Sequence, residues 1–213
     1  MASRDREPVA SLWLYYLFKW TVVNPTFRLY FQGRTAGVNQ VPRQGPLVIV
    51  ANHGSDFDPP LLSNCMRRPV SFMAKAELFK VPVLAPAIQL YGAYPVKRGS
   101  GDRGAIRAAI QQLDQGWAVG VFLQGTRTAD GRIPQPKLGA ALIAAKAQVP
   151  LLPVSLWGTH RIFAKGTNVP RAVPLTVRVG PLVPPPPTSD KHQLRETTEK
   201  CTAIIHQLHD LGR

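Results

Sequence analysis

Short apolar runs alternate with longer, helix-periodic segments along most of the chain. The runs at residues 47–51, 70–74, 93–96, 118–123, 151–156 and 175–179 are mostly apolar, and they predict buried strands. Residues 35–41 predict one more short strand. Between them lie predicted helices at 59–66, 76–90, 101–115, 137–147 and 189–210. In the third of these, Ile106, Ala109, Ile110 and Leu113 recur at helical spacing. The alanine-rich segment from Lys137 stops before Val149-Pro150. Strands alternating with helices predict an α/β fold: a mixed, mostly parallel sheet flanked by helices. Pro184 to Pro187 read as a stiff spacer before the last helix.

The first 33 residues break this rhythm. Val9 to Val23 form an apolar run interrupted by Lys19, short of the ~20 apolar residues a membrane-spanning helix needs. Asn24-Pro25 follows, then TFRLYFQG. Trp13, Tyr15, Tyr16, Trp20, Phe27, Tyr30 and Phe31 crowd the region, and such aromatics suit a water–lipid boundary. Residues 8–32 therefore predict two short helices, a hairpin lying in one membrane leaflet; a helical hairpin packed on the core is the plainer alternative. The expected division is an interfacial hairpin over 1–33 and an α/β domain over 34–213. The polar start MASRDREP, with no small-residue cleavage site, argues against a cleavable signal.

Composition narrows the partners. The 213 residues suit one domain with a sizeable core. Lys plus Arg number 26 against 12 Asp plus Glu, a net charge of +14, which favours anionic lipid, phosphate groups or acidic proteins. Nucleic acid is disfavoured. The aromatics cluster at the N-terminus instead of interleaving with Lys and Arg, and no helix-turn-helix or zinc-finger pattern appears. Cys65 and Cys201 are isolated and read as reduced thiols. No cluster has metal-ligand spacing, so no metal is expected.

The densest chemistry is NHGSDFDPP, residues 52–60, directly after the apolar run PLVIVA. The strand reading puts His53 and Asp58 at the end of a strand, the rim where α/β sheets bind ligands. Asp58 alone could cap the next helix before Pro59-Pro60, and His53 alone could be a loop histidine. Together they can act. A carboxylate on one ring nitrogen fixes the imidazole tautomer and stabilises the imidazolium formed when the other nitrogen takes a proton. No serine or cysteine completes a triad, since Ser55 lacks a nucleophile elbow. A substrate hydroxyl can then serve as the nucleophile, with His53 as its general base.

Four ordered blocks resemble the bacterial 1-acyl-glycerol-3-phosphate (lysophosphatidate) acyltransferases among the glycerolipid acyltransferases. NHGSDFD matches the family's N-H-x-x-x-x-D. YPVKRGS (94–100), FLQGTRT (122–128) and VPLLPVSLWGT (149–159) are similar to its second, third and fourth blocks. The resemblance implies that His53 is the base and Asp58 its orienting partner. It implies direct transfer of an acyl group from acyl carrier protein or coenzyme A to the sn-2 hydroxyl of 1-acyl-glycerol 3-phosphate, without an acyl-enzyme, cofactor or metal. The product would be phosphatidic acid.

Lys97 and Arg98, beside a predicted helix start, form a phosphate site in this reading. Gly125, Thr126 and Arg127 add backbone approach, a hydroxyl donor and a guanidinium fork. Gln124 stands where the family usually has glutamate; it can position substrate by hydrogen bonds but carries no charge. The last block shapes a thioester pocket or is plain core. His160-Arg161 beyond it read as solvated loop. The expected location is the cytoplasmic face of a bacterial plasma membrane, peripheral or monotopic. Another lysolipid or glycerol 3-phosphate as acceptor, a hydrolase using water, and a non-catalytic basic membrane-binding module remain the alternatives.

Overall fold

The computed structural model describes residues 9–82, 84–90, 92–96, 102–163, 167 and 169–213. Among these residues seven strands form one sheet in the order β1-β7-β6-β2-β5-β3-β4. They are β1 (Arg34–Ala36), β2 (Leu47–Ala51), β3 (Val70–Lys75), β4 (Tyr94–Val96), β5 (Ala118–Phe122), β6 (Leu151–Trp157) and β7 (Thr176–Val179). Every pairing is parallel except β6 with β7. This is the mixed, mostly parallel sheet that the pattern predicts.

β2 sits in the middle, and all five of its residues are buried. Leu47, Ile49 and Ala51 face one core cluster, while Val48 and Val50 face the other, as the two-residue period of a strand requires. On the first face, α2 (Asp58–Cys65) packs with the N-terminal segment. On the second lie α4 (Asp102–Asp114), α5 (Gly139–Ala147) and α6 (Lys191–Asp210). A parallel sheet covered on both faces explains why its strands read as unbroken apolar runs.

Three local expectations change. The helix expected at 76–90 is split into a 3-10 turn at Ala76–Lys80 and α3 (Leu84–Leu90). Pro82 lies in the gap, and the residue before a proline is disfavoured in helical geometry. Only Arg34–Ala36 of the early segment is strand; it ends at Gly37, whose φ of 74° suits a residue without a Cβ.

The third change concerns the N-terminal hairpin. The backbone is helical from Val9 through Tyr30 with no turn at Asn24-Pro25. α1 (Val9–Phe18) runs into a wider π-type turn at Lys19–Val23, and another covers Thr26–Tyr30. Proline normally kinks a helix through its missing N–H and its clash with an earlier carbonyl. Here Asn24 N–H bonds Lys19 O in the wider pattern, and the Thr26 hydroxyl donates to Val22 O at 2.8 Å.

This segment is joined to the core. Phe27 and Phe31 are buried in the cluster that contains β2. The Tyr15 hydroxyl donates to Ser63 O at 2.6 Å, and Lys19 Nζ donates to Met66 O at 3.0 Å. Ser63 lies in the last turn of α2 and Met66 caps its end, where no helical partner remains for these carbonyls. No described helix is long and apolar enough to cross a membrane.

Candidate active site

Because β2, β5 and β6 run parallel, their C-terminal ends meet on one rim of the sheet. Asn52 pins the first of these loops. Its buried amide donates to Gly131 O at 2.7 Å and Leu156 O at 3.0 Å, and accepts from Leu156 N at 2.7 Å. His53 projects just beyond it.

Asp58, fully buried at the first position of α2, turns back onto this loop. Its Oδ2 accepts from Gly54 N at 2.7 Å, Ser55 N at 2.8 Å and His53 Nδ1 at 2.7 Å. The carboxylate therefore organises the loop before the helix. With Nδ1–H donated to Asp58, Nε2 carries the lone pair. The His53 side chain keeps 17 % of its surface exposed, so a substrate can reach it. Its ring lies on Phe122, centroids 4.0 Å apart and planes 13° from parallel, and Phe122 in turn stacks on Phe72. Strand register pairs Ala51 with Phe122, which sets that ring beside the residues that follow β2.

Gln124, also buried, directs its amide to the backbone of His53, with Nε2 3.1 Å from His53 O. Thr128 N–H reaches the same carbonyl at 3.0 Å. The third block thus holds the histidine's backbone in place. At Gly125 the chain takes φ of 71°, in the left-handed region that favours glycine. The exposed guanidinium of Arg127 pairs with Asp56, inside the first block. Lys97 and Arg98 lie outside the described residues, just past the end of β4.

Two cavities flank the 124–128 turn. A cleft of about 830 Å³ is lined by apolar residues including Met73, Ile106, Phe122, Leu138 and Leu142, with Gln124 to Thr126 at its edge. A polar pocket of about 340 Å³ is bounded by Gly54, Ser55, Thr126, Arg127, His160 and Phe163. His160, expected in a solvated loop, instead borders this pocket. A Cβ built on Gly54 would lie 2.8 Å from His160 N, so the loops after β2 and β6 touch.

Burial and the neighbouring Arg161 charge lower the His160 pKa, opposed by Asp130 and Asp58. Arg161 itself turns aside to cover the Trp157 ring. Asn52, Phe122, Asp56 and His160 are the site neighbours that sequence reasoning missed. For Asp56 and Asn52 the signal was their place within the first block.

The two cysteines lie away from this chemistry. Both are buried, and burial pushes each thiol up to about 12, far from the thiolate a nucleophile needs. Among the described residues no three His, Cys, Asp or Glu side chains converge as metal ligands.

Comparison with known proteins gives the family. The family model described as Acyltransferase matches residues 34–157, which hold the first three blocks and most of the fourth. A chloroplastic 1-acyl-sn-glycerol-3-phosphate acyltransferase of Brassica napus is 31 % identical over 142 residues, 65 % of this chain and 41 % of the relative. One of Borreliella burgdorferi is 28 % identical over 150 residues, 69 % of this chain and 60 % of the relative. The chain thus spans roughly half the length of these curated relatives. The crystal structure of the 1-acyl-sn-glycerophosphate acyltransferase of Thermotoga maritima superposes with a TM-score of 0.69 at 23 % identity, covering 95 % of this chain and 90 % of that one; at that identity it speaks for the fold. The matched span and the four ordered blocks make this chain a member of the Acyltransferase family.

Proposed function

We propose that the protein moves an acyl group from a thioester to the sn-2 hydroxyl of 1-acyl-glycerol 3-phosphate, forming phosphatidic acid. The observation that carries this reading is the 2.7 Å bond between Asp58 and His53 Nδ1, which leaves Nε2 as a base at the sheet rim. Nε2 takes the proton of the acceptor hydroxyl as its oxygen attacks the thioester carbonyl. Asp58 stabilises the imidazolium. The tetrahedral intermediate collapses: the C–S bond breaks, the ester C–O bond stands, and the thiolate takes the proton from His53. The thioester supplies the driving force, so no cofactor enters. A direct transfer fits the buried thiols and Ser55, whose hydroxyl has no histidine partner among the described residues and accepts from Phe57 N.

The acceptor reading is supported by the relatives' names and by the guanidinium of Arg127 beside the first block. Arg127, Thr126 and the turn at Gly125 would meet the phosphate, with Lys97 and Arg98 beyond β4. The donor is a thioester of acyl carrier protein or coenzyme A, and the net charge of +14 favours docking of an acidic carrier.

A membrane-surface location is supported by the N-terminal helix. Trp13, Leu17 and Trp20 recur on one face and are exposed, an arrangement suited to the headgroup region.

The test is product analysis with labelled acyl donor of both kinds against lysophosphatidate, other lysolipids and glycerol 3-phosphate. Phosphatidic acid as the main product is expected. Acylation of another acceptor alone would replace lysophosphatidate, and release of free acid alone would make the protein a hydrolase.

A further inference from the structure

We propose that His160 is a second histidine of the site, donating a hydrogen bond from Nε2 to the phosphate of the acceptor in the polar pocket it shares with Arg127 and Thr126. The inference deepens the acyltransfer reading and rests on it for the identity of the ligand. It starts from geometry. Gly54 lies against the His160 backbone, so this ring stands beside the loop that carries His53. The pocket of about 340 Å³ is open, and His160, Arg127, Thr126, Thr128 and Ser55 supply its polar wall.

The two ring nitrogens differ. Nδ1 is sealed from solvent without a hydrogen-bond partner, facing Gly131, where a built Cβ would sit 3.1 Å away. A buried N–H with no acceptor is costly, so the proton belongs on Nε2. Nε2 makes no hydrogen bond among the described residues. His160 and Arg127 line the same polar pocket; with Nδ1 turned to Gly131, Nε2–H is assigned to that pocket, where an unpaired donor sharing the space with a guanidinium suits an anionic oxygen ligand. The ring's lowered pKa keeps it a neutral donor.

The acidic groups nearby are engaged: Asp58 by His53 and two amides, Asp56 by Arg127, and Asp130 by Arg132 N at 3.0 Å. A phosphate that displaces Asp56 from Arg127 would lie between that side chain and His160. The sn-2 hydroxyl of the same molecule would then point across Gly54 toward His53.

Two variants separate the donor from its shape: His160→Phe keeps a ring and removes the N–H, whereas His160→Asn restores a donor. Binding of 1-hexanoyl-glycerol 3-phosphate and of 1-hexanoylglycerol is measured by titration calorimetry, with steady-state kinetics on lysophosphatidate. His160→Phe is expected to weaken binding of the phosphorylated probe by about 10- to 100-fold and to raise KM correspondingly. It should lower kcat less than threefold and leave the unphosphorylated probe unaffected. His160→Asn should recover much of the loss.

Unchanged binding of the phosphorylated probe in His160→Phe would overturn the proposal. So would equal weakening for both probes, or a fall in kcat at constant KM. Selective weakening in a protein that acylates no phosphorylated acceptor would keep the anion site and remove the proposed activity.

Discussion

At position 124 the third block carries an amide where the resembled family usually carries a carboxylate. The structure gives the amide a specific task. Gln124 Nε2 faces His53 O at 3.1 Å, and Thr128 Oγ1 and Arg132 O at 3.4 Å. An ionised carboxylate in its place would set an acceptor against two carbonyl oxygens. Gln124→Glu should therefore cost about 1–3 kcal/mol, or roughly 2–12 °C in Tm. The cost exists only while the new carboxylate is charged. Burial raises the folded-state pKa of such a group, so the variant should match the wild type in acid and lose stability as pH rises through that value. Thermal denaturation at pH 4 and pH 8 checks this, and an equal Tm for both proteins at pH 8 would refute it. His53 and Asp58 were legible in the sequence because two polar residues of matched chemistry follow a strand directly. Phe122 and His160 were not. Phe122 reaches the site through strand register, and His160 through contact between two distant loops.

At the scale of elements, β5 serves the site through a residue with no side chain. Phe72 pairs with Gly120 across β3 and β5, and a Cβ built on Gly120 would fall 2.1 Å from the Phe72 ring. The glycine lets Phe72 lie flat beneath Phe122, which lies beneath His53. Gly120→Ala should force the stack apart, at about 1–3 kcal/mol for overpacking a core, and lower kcat together with stability. Urea unfolding should show a lower midpoint; a midpoint equal to wild type would mean the stack does not bear on β5. Strand positions were legible because a fully covered parallel sheet writes unbroken apolar runs. The helical run through Pro25 was not, since its geometry depends on π-type turns and on threonine hydroxyls that bond back along the helix. The split of 76–90 was signalled by Pro82 but outweighed by the apolar pattern around it.

For the whole molecule, the same N-terminal helix has two faces that the sequence could not separate. Tyr15, Phe27 and Phe31 face inward, capping α2 and filling the core, while Trp13, Leu17 and Trp20 face outward. Deleting the segment would remove both, so surface replacement is the cleaner probe. Trp13→Gln, Leu17→Gln and Trp20→Gln together should abolish sedimentation with anionic vesicles and leave the Tm nearly unchanged; continued sedimentation would place the contact elsewhere. The central claim, however, lies at the sheet rim, where the imidazole of His53 removes the acceptor's proton. Its most direct test is kcat of His53→Ala on lysophosphatidate with a saturating acyl thioester. The account predicts a fall of about 10²–10⁴-fold with folding and vesicle binding intact, and a kcat within a few-fold of wild type would contradict it.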